Sequence, residues 1–313
     1  MLTDDQIAAF HRDGVLVVND VVEPVIMGAV RDEYTRLLES LYAGWQSAGM
    51  VPQSSGFDDM LIAAYCEGCD WFQPMDISLP GDRITPNTPT HFGPAVFDMI
   101  RSPRILDIVE TLIGPEITSN PIQHVGVKPP EQMLDAGEIR AHVGGTDWHQ
   151  DRAVAQTEAD QTDMVTVWIA ITDVTVENGC LQAKPFDGPQ TMLPHRPHRQ
   201  TAIAKRYIDE TMAQPLPVRA GGVVLFHPLI PHASLPNRSN GLRWSFDLRY
   251  NRTGQPTGRS HFPEFVARSR AHPETELHDW RAWRSLWQAA RTRLSTTPHI
   301  DIHRWRSDAP VCV

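Results

Sequence analysis

Apolar positions in the first third of the chain recur at three- and four-residue steps. From Pro24 onward Met27, Val30, Tyr34, Leu37, Leu38 and Leu41 follow that spacing, which predicts an amphipathic helix laid against the outside of a sheet. Ahead of it, Thr3 and Gln6 have capping-box spacing, and Gly14 can end the short helix they begin. GVLVVND then reads as a strand, and a further helix is expected from Pro103 to Ile113, stopping at Gly114. From residue 164 the period changes to two. In MVTVWIAIT (164–172), Val165, Val167, Ile169 and Ile171 share one face, while Thr166, Trp168 and Ala170 share the other and could line a cavity. GGVVLF (221–226) is a second strand. LRWSFDLRY (242–250) is a third, with Leu242, Trp244, Phe246 and Leu248 opposite Arg243, Ser245, Asp247 and Arg249.

Residues 67–96 are rich in Pro, Gly, Asp and Thr and show no period, the signature of a long loop that covers a site. From about 263 to 293 helical spacing returns around Trp280, Trp283, Leu286 and Trp287, and the three tryptophans read as packing residues. There is no internal repeat or linker, so one domain is expected over residues 1–313, with a lid loop at 67–96 and a C-terminal helical extension at about 263–313. Short strands flanked by helices predict a mainly β fold, a double-stranded β-helix (jelly-roll or cupin-like) barrel with N- and C-terminal helices packed outside.

Composition narrows the function. An apolar share of 41% and a charged share of 21% describe an ordinary globular chain. The net charge of −10 argues against nucleic acid or an anionic membrane as partner, since both need a basic footprint. No apolar run approaches the roughly 20 residues of a membrane span, and MLTDDQIAAF lacks the profile of a secretory signal, so a cytoplasmic location is the default expectation. Four cysteines are too few for a disulfide framework, and Cys66 and Cys69 read as two ordinary thiols. The expected partner is a small-molecule substrate, and a homo-oligomer is not excluded.

Fourteen histidines invite a search for metal ligands. In Trp148-His149-Gln150-Asp151, an extended backbone would turn His149 and Asp151 to the same side. An imidazole and a carboxylate are two-thirds of the triad that leaves three positions open on octahedral Fe(II). Alone, H-x-D is weak evidence. Support comes from Phe226 to Arg243, where His232 follows a strand, Ser234 lies two residues on, and Arg243 opens the next strand. A buried arginine facing a cavity needs an anion, and its planar fork suits a carboxylate. His227 is a rival third ligand, and His142 reads as a loop residue or a neighbour of the ligands. Arg249 shares the face of Arg243 about 20 Å further along, at roughly 3.3 Å per residue, and reads as a structural ion-pair partner. Pro194 to Arg199 is a basic stretch that reads as a solvated loop.

LTDDQIAAFHRDGVLVV, SPRILDIVETLIGP, the HQD motif, WIAITDVTVENGCL and the H-A-S…N-G-L-R segment together resemble the phytanoyl-CoA dioxygenase family of Fe(II)/2-oxoglutarate oxygenases. The resemblance implies His149, Asp151 and His232 as iron ligands, preferring His232 to His227 because the step from His232 to Arg243 matches the family's. It implies Arg243 and Ser234 as contacts of the distal carboxylate of 2-oxoglutarate, with Trp168 and His124 in the same pocket. It further implies Fe(II), 2-oxoglutarate and O2 as cofactor and co-substrates, and hydroxylation of an unactivated C–H bond with release of succinate and CO2. A carboxylate at Asp151, where related halogenases carry a small residue, argues against halogenation. Desaturation, cyclisation and epimerisation remain open within the family, and a catalytically silent binding module is the alternative from another class. Family members often carry P-G-S-H after ENGCL; this chain has Ala183 to Gly188 there, a departure expected to alter substrate fit. Gln150, Arg152, Trp71 and Phe72 are candidate substrate contacts, by adjacency to the motif or to the lid.

Overall fold

The computed structural model describes residues 1–81, 83–135, 138, 140, 143–197, 201–297, 302, 304 and 305. The chain opens with α1 (Asp4–Asp13), β1 (Val15–Val18), α2 (Pro24–Ser47), α3 (Phe57–Cys66), α4 (Phe72–Met75), α5 (Pro94–Ile100) and α6 (Pro103–Ile113). There follow β2 (Glu116–Lys128), α7 (Asp151–Val154), β3 (Met164–Ala170), β4 (Leu181–Ala183), β5 (His195–Pro197) and β6 (Thr201–Ile203). The last elements are β7 (Gln214–Leu216), β8 (Val223–Phe226), β9 (His232–Ser234), β10 (Arg243–Arg252), β11 (Phe265–Ser269) and α8 (Trp280–Leu294).

Six strands form an antiparallel sheet in the order β1-β8-β3-β10-β2-β11, and β7-β4-β9 form a second sheet. With flanking helices outside, this is the jelly-roll barrel the patterning predicts. The alternation decides what each face does. Val165, Val167 and Ile169 of β3 and Trp244, Phe246 and Leu248 of β10 join the main core beneath α2, where Tyr34 packs against Trp244 and Phe246 at ring distances of 5.3 and 5.5 Å. The opposite face, with Thr166, Trp168, Arg243, Ser245, Asp247 and Arg249, turns inward and lines the cavity.

Local signals hold at the N-terminus. Thr3 and Gln6 form the reciprocal capping box, and Gly14 closes α1 in the left-handed region at φ 76°. Two readings need correction. Residues 263–293 are not helical throughout: Phe265–Ser269 is a strand on the edge of β2, too short to stand out from its polar surroundings. Residues 67–96 are not irregular throughout, since they contain α4 and the start of α5, and Trp71, Met75, Ile77 and Leu79 are buried. Cys66, Cys69 and Cys180 are free thiols. No helix among the described residues is long and apolar enough to cross a membrane.

Candidate metal centre and co-substrate pocket

Three segments far apart in sequence meet where the two sheets approach. His149 and His232 exchange backbone hydrogen bonds of 2.9 Å in both directions, an isolated antiparallel bridge that fixes the two imidazoles side by side at 4.2 Å between ring centroids. Gln150 is extended (φ −119°, ψ 137°), so Asp151, the first residue of α7, points to the same side as His149. The Asp151 Oδ1 lies 3.8 Å from His149 Nε2 and 3.9 Å from His232 Nε2, and the three ligand atoms all fall within 4.8 Å of one another.

The tautomers are set by the backbone. His149 Nδ1 lies 2.8 Å from the Asp147 carbonyl, and His232 Nδ1 lies 3.1 Å from the Ile230 carbonyl. A carbonyl can only accept, so each Nδ1 carries the proton and each Nε2 keeps its lone pair for a metal. Burial and the neighbouring His232 push the His149 imidazole down to about 4, and burial lowers His232 too. Burial alone would raise the Asp151 carboxyl, but Arg249 and the two imidazoles hold it well below the usual carboxylate range. Thr166 Oγ1 donates to Asp151 Oδ2 at 2.6 Å, and Arg249 donates to Oδ1. Two neutral imidazoles and one ionised carboxylate are the donor set of the facial triad.

The centre opens on a cavity of about 430 Å³. At its far end lies Arg243, fully buried, with Nη1 donating to Ser245 at 2.8 Å and its guanidinium carbon 5.1 Å from the Trp168 ring centre. Its Nε has no partner among the described residues. Opposite it in register stands Lys128, also buried, whose Nζ donates to Ser234 Oγ. The Thr146 N–H donates to the same oxygen at 2.8 Å, which leaves the Ser234 hydroxyl hydrogen free to donate. No acid pairs with either cation among the described residues. Burial pushes Arg243 down to about 9 and, with Arg243 beside it, takes Lys128 well below its usual range. Two buried cations, an orphaned N–H and a spare hydroxyl fit one end of a dicarboxylate.

His124 lines the cavity, with Nδ1 2.9 Å from Asp76 Oδ2, and Phe72 lines it as well. Three expected substrate contacts lie elsewhere. Gln150 turns away from its neighbours, as strand alternation requires, and donates to the carbonyls of Thr191 at 2.9 Å and Leu229 at 2.5 Å while accepting from Leu193 N–H at 2.7 Å. Arg152 donates to the carbonyls of Ala159 and Thr162, the latter at 2.6 Å, and braces the chain after α7. Trp71 is wholly buried in the main core. His227 packs against Phe186 at 5.3 Å and accepts from Leu229 N–H, away from the triad. Ala183 to Gly188, expected to shape substrate fit, contributes nothing to the cavity wall; Phe186 N–H bonds to Asp13, and Lys184 pairs with Asp187 at 2.8 Å.

The basic stretch is also not simply solvated. His195 is fully buried in the β5–β6 hairpin, accepting from Gln150 N–H at 3.0 Å, and Thr201 of the same hairpin lines the cavity. His198, Arg199 and His142 lie outside the described residues. Sequence reasoning missed Lys128 and the Asp151 partner Thr166; Arg249, read as a structural ion-pair partner, is one, and its acid is Asp151. The signal for Lys128 was its place four residues from His124, hence on the same strand face.

Residues 10–245 match the family model "Phytanoyl-CoA dioxygenase (PhyH)". The chain is 23% identical to phytanoyl-CoA dioxygenase domain-containing protein 1 of Danio rerio over 78% of this chain and 88% of that protein. It is 28% identical to a probable phytanoyl-CoA dioxygenase of Caenorhabditis elegans over 50% of this chain, spanning about half (51%) of that relative's length. Among solved structures, the non-heme monooxygenase ThoJ shares the fold at a TM-score of 0.58 and 19% identity, over 92% of this chain and 98% of that one. EvdO2 from Micromonospora carbonacea var. aurantiaca, complexed with 2-oxoglutarate, does so at 0.53 and 21% identity, over 81% and 92%. The family match, carried on a barrel that brings two histidines and an aspartate to one point, places this chain in the phytanoyl-CoA dioxygenase family of iron(II)- and 2-oxoglutarate-dependent oxygenases.

Proposed function

We propose that the protein hydroxylates an unactivated C–H bond of a small molecule, with His149, Asp151 and His232 holding Fe(II) and Arg243 and Ser234 anchoring 2-oxoglutarate. One observation carries this reading: a three-ligand centre and a pair of acid-free buried cations share the walls or lie beside the same cavity. When bound, iron with 2-oxoglutarate supplies the activation of O2 that no side chain can provide. The chain's own part is positional. The carbonyls of Asp147 and Ile230 hold the two imidazoles with Nε2 inward. Arg243, Ser234 and Lys128 fix the distal carboxylate, so the co-substrate enters in one orientation. Trp168, Leu181 and Phe226 close the wall around it and limit water. Beyond the metal, Phe72, Leu79, Ile122 and Phe262 give the cavity an apolar side that suits a hydrocarbon segment of a substrate.

The test is anaerobic addition of Fe(II) and 2-oxoglutarate, which should give the weak visible charge-transfer band of the chelate, followed by succinate release once O2 is admitted. His149→Ala and Asp151→Ala should each lose both metal retention and turnover. A variant of either kind that keeps iron and still makes succinate would remove the assignment.

A further inference from the structure

Among the described residues of the cavity wall, Asp247 combines unused bonding capacity with a side chain that is still partly exposed. Asp247 sits on β10 opposite His124 on β2 and Trp168 on β3, on the inward face between Arg243 and Arg249. Among the described residues its Oδ1, shielded from solvent, has no hydrogen-bond partner, and its Oδ2 has a single long one, 3.4 Å from Arg249 Nη2. A buried carboxylate ordinarily accepts several donors, and leaving one short is costly. The side chain nonetheless keeps 23% of its surface exposed on a wall of the cavity.

The cationic groups nearby are in the opposite condition. Arg249 is only 3% exposed, its Nη atoms are taken by Asp151, Asp247 and the Ile122 carbonyl, and its Nε, unpartnered among the described residues, is shielded from solvent. Arg259 donates through Nη1 to Ile302 O at 2.7 Å and through Nη2 to Val154 O at 2.8 Å. Arg243 and Lys128 serve the co-substrate on the reading above. What this wall still offers an incoming molecule is therefore an acceptor. We infer that Asp247 is a substrate-recognition residue, and that the substrate presents a hydrogen-bond donor, an amine or a hydroxyl, to it rather than a carboxylate or phosphate. Together with the apolar wall of Phe72, Leu79 and Ile122, this defines an aliphatic or ring-bearing substrate with a donor group near the oxidised carbon.

The inference rests on the proposed function, and one experiment separates the two. The Fe(II)–2-oxoglutarate complex is formed without O2 and titrated with hexylamine, 1-hexanol, methyl hexyl ether and hexanoate, following the perturbation of its visible band. At least one of the two donors should bind roughly tenfold or more tightly than hexanoate and the ether, and Asp247→Ala should abolish that preference. Asp247→Asn separates the sources: it keeps an acceptor oxygen, so hydroxyl binding survives, whereas ammonium binding falls with the lost charge. No preference for donors in the wild type, or a preference unchanged in Asp247→Ala, overturns the inference and leaves Asp247 as a partner of Arg249 alone. The wild-type comparison stands even if a variant misfolds. Failure of the band to form at all would count against the proposed function instead.

Discussion

At the residue scale, legibility followed how local the pattern was. His149 and Asp151 lie two positions apart, and the step from His232 to Arg243 runs within one strand-turn-strand segment, so both could be read off the chain. Lys128 and Thr166 act only through strand pairing, and Arg249, legible as an ion-pair partner, finds its place the same way: Lys128 meets Arg243, and Thr166 meets Arg249, in the β2–β10–β3 register. Gln150 and Arg152 failed as substrate contacts because neighbours in sequence point to opposite sides of an extended backbone. The cation pair yields a direct prediction. Arg243→Leu should raise the apparent KM for 2-oxoglutarate roughly tenfold to a hundredfold, since a charge-assisted bond is worth about 1.5–3 kcal/mol. Arg243→Lys should recover only part of it, because an ammonium lacks the fork. Lys128→Met, close in shape but neutral, should weaken the same constant without altering metal affinity. Equilibrium titration of each variant with metal and with 2-oxoglutarate separates the two effects.

At the element scale, the β5–β6 hairpin props the metal loop, and nothing in its sequence announced that. Pro194 to Arg199 has the composition of a solvated loop, yet His195 enters the interior, donates from Nδ1 to the Leu193 carbonyl at 2.7 Å, and accepts the Gln150 N–H. Burial pushes His195 down to about 4, and burial together with Arg152 does the same to His227. Both are therefore neutral in the folded chain, while their unfolded value is near 6.5. Below pH 6.5 the unfolded chain takes up protons that the native one refuses, so stability falls with falling pH down to about 4 and, for these groups, changes no further below that. Urea midpoints measured from pH 7.5 to 4 should show this decline. His195→Gln, which keeps an acceptor and cannot titrate, should flatten part of it. The same variant should leave 2-oxoglutarate affinity near the wild-type value, because Arg243 lies on another strand.

At the scale of the whole molecule, the C-terminal helix does more than pack. The tryptophan spacing read in sequence as packing is borne out for Trp283 and Trp287, both fully buried; β11 ahead of them was hidden by its brevity, and the enclosing role of the helix needed the fold. Trp287 stacks on Phe92 at 5.0 Å and meets Phe262 at 5.4 Å, and Phe262 is itself part of the cavity wall. Further along α8, Arg291 donates to the Thr88 carbonyl at 3.0 Å. The helix thus fastens residues 88–92 from outside, and through Gln73, which donates to the Pro89 carbonyl at 3.2 Å, it reaches the segment that supplies Phe72, Leu79 and Gly81 to the cavity. Trp287→Ala should cost roughly 3–5 kcal/mol of stability, the range for a large aromatic removed from a core. Leu286→Ala, at an exposed position on the same helix, should change it by only about 0.5 kcal/mol. If the helix also holds the cavity closed, Trp287→Ala should make succinate without substrate faster than the wild type at a temperature where both are folded, because a loosened wall admits water. Equal uncoupled rates in the two proteins, beside the expected loss of stability, would confine α8 to a structural part.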